Sequence, residues 1–217
     1  MMMWIVAACA ALSIGVCLPL YGHYKVIKPG LSLIYKALGT ACALIPAISG
    51  AVPTGKTAWF CVAALILCIL GDVFLELQFF LGVGFFLSGH ICYIMWFYAC
   101  ISLPPVLSAV LPVLVVTAAG IAYGFRKEIG KKRMLPFLTY MLFLSVMAAF
   151  AISYGLVTLR MDGLFSLAGG ILFVVSDFMV LYQTLRPTEK WFGHILMVLY
   201  YAGQLLIASG CMARAIL

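Results

Sequence analysis

Only six acidic residues occur in the 217-residue chain, and two of them, Asp72 and Asp177, fall inside long apolar runs. A charged side chain near the centre of a bilayer costs roughly 2.5–3.5 kcal/mol on insertion scales, so groups kept there are usually used. Other polar residues accompany them in similar runs: Lys36; Glu76, four residues after Asp72; His90 with Tyr93 at i+3; and Tyr200 with Gln204 at i+4. Residues three or four apart share one helical face, so each pair points the same way. Two carboxyl groups on separate helices can divide acid and base work, one protonated and one ionised. They can equally relay protons or ions.

The elements that must hold these residues follow from composition. The chain is 66% hydrophobic and 9% charged. Soluble domains carry about 25% charged residues, so this is a polytopic membrane protein. The apolar runs have helical length and lack the ten-residue alternation of a barrel, which predicts an all-α bundle. At about 20 residues per crossing, eight transmembrane helices are expected, near 3–21, 31–50, 57–77, 79–101, 104–125, 134–159, 164–185 and 193–215. The connections are short, so residues 1–217 read as a single transmembrane domain. The first run, Trp4 to Leu20, lacks a basic flank and a cleavage pattern and is read as a retained helix. The eight cysteines lie in apolar runs without a CxxC pair, so they read as packing residues and not as a disulfide frame or metal knuckle.

The net charge of +7 sits in loops between spans, which argues for membrane orientation and against a nucleic-acid partner. Nine basic residues (Lys25, Lys28, Arg126, Lys127, Lys131, Lys132, Arg133, Arg186 and Lys190) lie opposite the termini, whereas Lys56, Arg160 and Arg214 lie on the termini side. The positive-inside rule then puts both termini outside the cytoplasm, in a cell (inner) membrane protein. The loop RKEIGKKR is also a candidate contact for anionic membrane lipids. GDVFLEL (71–77) and FVVSDFMVLY (173–182) echo one another, and each is followed by a helix carrying His90 or Tyr200 with Gln204. Two four-span halves related by an axis along the membrane normal, a parallel 4+4 repeat, would produce this echo.

Depth gathers the polar groups. Asp72 lies about five residues from the end of its span, near 7–8 Å at 1.5 Å rise per residue, and Asp177 about eight. Every strongly polar intramembrane group is therefore expected in the cytoplasmic half or near the midplane, in one site. Ordinary roles compete for several of them. Glu76 is near enough to the interface to be a boundary residue. His90 can be a structural histidine bonded across the bundle, and Lys36 can snorkel. Gly82, Gly84, Gly89, Gly169 and Gly170 are expected to allow close helix contact. Three histidines and the acids raise a zinc alternative, but no HxxxH or HExxH spacing supports it.

With these residues in view, the chain resembles the YhhN-like lysoplasmalogenases over nearly its whole length. The resemblance rests on Lys36, GDVFLEL (71–77), GVGFFLSGHICYIMWF (82–97), GGILFVVSDFMVLY (169–182) and YYAGQLLIASG (200–210). Ala37 departs from the proline expected after Lys36. The resemblance implies hydrolysis of the vinyl ether bond of lysoplasmalogens, giving a fatty aldehyde and glycerophosphoethanolamine or glycerophosphocholine. It also implies catalytic roles for Asp72 and Asp177, with no metal or organic cofactor. Lys36, Glu76, His90, Tyr93, Tyr200 and Gln204 would bind substrate or support the acids, and the partner would be a lysophospholipid drawn from the membrane. Rivals from other classes are a transporter or flippase for a small amphiphile and a zinc-dependent membrane amidase or esterase.

Overall fold

The computed structural model describes residues 2–216. Among them, eight helices are long and apolar enough to cross a membrane: α1 (Met2–Ile27), α2 (Pro29–Thr54), α3 (Lys56–Leu77), α4 (Phe79–Ile101), α5 (Leu107–Gly124), α6 (Lys131–Thr158), α7 (Met161–Leu185) and α8 (Lys190–Arg214). At 1.5 Å per residue each matches or exceeds a hydrocarbon core of about 30 Å, apart from α5, which falls slightly short. The all-helical architecture read from composition is the one observed.

Local chemistry sets the breaks. Lys28 is driven out of helical geometry because Pro29 follows it (φ −143°, ψ 81°). Within α2 the helix opens into a turn at residues 42–43, where Pro46 has no N–H to offer the Cys42 carbonyl. Residues Ala11–Cys17 of α1 are π-helical. A single residue, Gln78, joins α3 to α4, with its N–H bonded to the Phe74 carbonyl at 2.7 Å. The hairpin closes this tightly because Gly82 lies directly on the backbone of Phe74 and Leu75.

Neighbouring pairs repeat across the two halves. Helix α1 packs on α2, α2 on α3 and α3 on α4, while α5 packs on α6, α6 on α7 and α7 on α8. The halves join through α4 with α6 and through α8 with α2. Helix α8 also packs on α1, a contact without a comparable counterpart between α4 and α5. Helix α8 is the central element, with 72% of its apolar window buried, whereas α5 has 11% and lies at the periphery.

At the end of the bundle away from the basic loops, Asp162 in the first turn of α7 is fully buried. The Tyr154 hydroxyl donates to its Oδ2, and Arg160 and Arg214 approach the same oxygen at 3.2 and 3.6 Å. This cluster ties α6, α7 and α8 together. It corrects the expectation that all buried polar groups share the basic half of the bundle. A second correction concerns Gly84, which has no atom near its missing Cβ and faces outward.

A Cβ on Gly169 would lie 2.7 Å from the Gly203 carbonyl oxygen and 2.8 Å from Ile207 Cγ1, so α7 and α8 approach only because both positions are glycine. Gly169→Leu is expected to cost about 1–3 kcal/mol by overpacking and to lower the thermal midpoint in detergent. Gly84→Leu is expected to leave that midpoint unchanged. Equal stability of the two variants would contradict this packing.

Candidate active site

Helices α1, α2 and α3 each place two polar side chains one turn apart, and these two-residue faces meet at the basic end of the bundle. On α2, Lys36 and Thr40 are four residues apart, and on α3 Asp72 and Glu76 are likewise. Thr40 Oγ1 donates to Asp72 Oδ2 at 2.5 Å, and Tyr200 Oη of α8 donates to the same oxygen at 3.1 Å. One turn nearer the mouth, Lys36 Nζ pairs with Glu76 Oε1 at 3.0 Å. Lys25 donates to Tyr21 Oη at 3.0 Å, and Tyr21 donates to Glu76 at 3.4 Å, which brings α1 into the network.

Asp177 of α7 has its own set. Tyr140 Oη of α6 donates to Asp177 Oδ2 at 2.5 Å. His90 Nε2 of α4 lies 3.3 Å from Tyr140 Oη and 3.5 Å from Asp177 Oδ2. Thus each aspartate takes a hydroxyl from the helix that precedes it and a second polar group from the last helix of the other half. Between the two sets stands Phe173, fully buried one turn from Asp177, with its ring 5.2 Å from His90 and 5.7 Å from Tyr200.

A cavity of about 650 Å³ opens at the basic end and reaches both carboxylates. Its inner wall includes Lys36, Asp72, Glu76, Tyr140, Asp177 and Tyr200. Apolar walls come from Phe79, Phe80, Val83, Phe137 and Met197, and the mouth carries Lys25, Arg133, Lys190, His194 and Glu189. The volume is within the range of small-molecule sites. The mixture of an apolar body, a cationic rim and buried carboxyls suits an amphiphile with a phosphate-bearing head.

Five of the eight residues singled out in the sequence therefore line this cavity: Lys36, Asp72, Glu76, Asp177 and Tyr200. Glu76, although 36% exposed, is an ion-pair partner and not simply a boundary residue, and Lys36 is buried against it instead of snorkelling. His90, Tyr93 and Gln204 lie behind the cavity. Tyr93 Oη donates to Gln204 Oε1 at 2.5 Å, and both side chains are completely buried. Thr40, Tyr140 and Tyr21 were not apparent in the sequence. Thr40 shares the face of Lys36 at i+4, which is a usable signal, whereas Tyr140 is one aromatic among many in apolar runs. Among the described residues, no three His, Cys, Asp or Glu side chains converge to hold a metal ion.

The model of the YhhN family matches residues 31–211. The chain belongs to the YhhN family. Comparison with curated proteins and with solved structures finds no match. The matched segment of this YhhN protein contains both aspartates and every hydrogen-bond partner named for them, while Tyr21 and Lys25 on α1 lie outside it.

Thr40→Val replaces the hydroxyl by a methyl of similar shape and leaves Asp72 Oδ2 with one donor. Loss of a hydrogen bond to a charged acceptor is worth about 1.5–3 kcal/mol, so the variant should unfold at lower temperature in detergent. Thr40→Ser keeps the donor and should lose less. Equal losses in the two would remove the hydrogen bond as the cause.

Proposed function

We propose that this YhhN protein hydrolyses the vinyl ether bond of a lysoplasmalogen, a single-chain alkenyl glycerophospholipid. The observation that carries the reading is the pair of buried carboxyls, Asp72 and Asp177, facing one amphiphile-sized cavity from different helices. Family membership supports it. The nine basic residues at the mouth end support an opening toward the cytoplasmic leaflet.

An enol ether is attacked first by a proton. Asp177, as general acid, gives its proton to the vinyl carbon β to the ether oxygen. The π pair forms the new C–H bond and leaves an oxocarbenium ion. Asp72, as the ionised carboxylate, sits across from it and removes a proton as water adds to the cationic carbon. As the hemiacetal collapses, the Asp177 carboxylate takes its hydroxyl proton while the C=O bond forms, and the glycerol oxygen leaves with the proton held on Asp72, which returns both acids to their starting states. One water is consumed, and one aldehyde and one alcohol are released. This is the division of labour between paired carboxyls in glycoside hydrolysis. Lys36 is the cation that lets a second charged carboxylate persist beside Glu76 in hydrocarbon. The apolar walls at Phe79, Phe80 and Phe137 suit the alkenyl chain, while Arg133 and Lys190 suit the phosphate.

Purified protein in detergent tests the reading, since aldehyde release needs no sealed compartment whereas transport does. Wild type should release aldehyde from a lysoplasmalogen. Asp72→Asn and Asp177→Asn should each lose at least about 10²-fold in turnover while remaining monodisperse. Uptake of the lipid into liposomes with no aldehyde formed would replace this reading with the transporter. Near-wild-type turnover in either variant would remove that residue from the mechanism.

A further inference from the structure

The environment of Asp177 contains a buried histidine that the mechanism above does not use. His90 is fully buried, does not line the cavity, and has one ring nitrogen, Nδ1, with no hydrogen-bond partner. Its other nitrogen, Nε2, is 3.3 Å from Tyr140 Oη. Tyr140 has a single proton, and that proton is given to Asp177 Oδ2 at 2.5 Å. The phenol oxygen can then only accept from His90, which requires the proton on Nε2. The opposite tautomer would bury an unpaired N–H at Nδ1 and set two lone pairs against each other at Nε2, and both arrangements are costly.

We infer that His90, Tyr140 and Asp177 form a one-directional donor chain, His90 Nε2–H to Tyr140 Oη–H to Asp177 Oδ2, that keeps the transferable proton of Asp177 on its other oxygen, Oδ1. Among the described residues, no protein group donates to that oxygen. With Oδ2 committed as an acceptor, the acid proton faces the cavity and not the protein interior. When the proton passes to carbon, the Tyr140 O–H, itself held by the His90 N–H, already points at the carboxylate left behind, with no reorganisation needed. Tyr140 lines the cavity and contacts the acid directly. His90 acts only through these two groups and is a positioning residue.

The role in turnover rests on the hydrolase reading, but the tautomer does not. The chain has three histidines, His23, His90 and His194, so 15N-histidine labelling of the full-length protein in detergent micelles gives three rings, and His90→Gln identifies the buried one. The expected result is a neutral His90 protonated at Nε2, whose resonance moves in Tyr140→Phe. An Nδ1–H tautomer, an imidazolium at neutral pH, or a resonance indifferent to Tyr140→Phe would overturn the chain. In aldehyde release, Tyr140→Phe should lower kcat roughly 10- to 100-fold, the scale of a misplaced reacting group, with KM within about twofold. Adding His90→Leu to Tyr140→Phe should lower kcat little further, because His90 works through the phenol. Fully multiplicative losses would also overturn it. A wild type that releases no aldehyde sinks the hydrolase reading and leaves the nitrogen measurement to decide the tautomer.

Discussion

A carboxylate inside hydrocarbon has no water to solvate it, so its donors must come from neighbouring helices, and those helices must be held at hydrogen-bond distance. Three aspartates in this bundle are buried, and each one binds together three elements. Asp72 joins α2, α3 and α8; Asp177 joins α4, α6 and α7; Asp162 joins α6, α7 and α8. The glycine contacts serve the same requirement. Helix α8 can bring Tyr200 to Asp72 because Gly203 lets it lie against Gly169 of α7.

The two cavity-lining aspartates each accept a hydroxyl from the preceding helix, but their surroundings differ chemically. One turn toward the mouth from Thr40 stands Lys36, paired to Glu76; one turn toward the mouth from Tyr140 stands Pro136. One half therefore carries an additional ion pair, and the other carries an imidazole instead. The groups around the two carboxyls thus make them unlike. Acid–base catalysis needs that unlikeness, since two identical carboxyls would compete for one role.

The eight crossings were legible because hydrocarbon demands long uninterrupted apolar runs, and Asp72 and Asp177 stood out because charge within such runs is rare. The partners were less visible. Tyr140 and Thr40 are moderately polar, and spans tolerate such groups for packing as readily as for function, so type and spacing do not separate the two uses. Asp162 escaped for a different reason. The seventh span was expected to begin at 164, which leaves Asp162 in a loop, whereas α7 starts at Met161 and the acid turns inward. Of the three groups that meet it there, Tyr154 and Arg160 are near in sequence, but Arg214 comes from the far end of α8, over fifty residues away, a tertiary contact with no local trace. The sequence echo between the two halves amounts to Gly-Asp matching Ser-Asp, and the helix contacts match only in part, since α1 packs on α8 without a comparable contact between α4 and α5.

Between the carboxylates and the opposite face the bundle is filled. Phe173 separates the two aspartate sets, the Tyr93–Gln204 hydrogen bond spans α4 and α8, and Trp96, Phe97 and Tyr154 are buried beyond it. The cavity reaches Asp72, Asp177, Tyr140 and Tyr200 and stops. A carrier with alternating access would have to part this layer on every cycle, breaking the short Tyr93–Gln204 bond and exposing rings that pack on one another across helices. A hydrolase needs no second opening. On the proposed hydrolase reading, the single-chain substrate and both products use the same mouth, and the packed layer stays closed throughout.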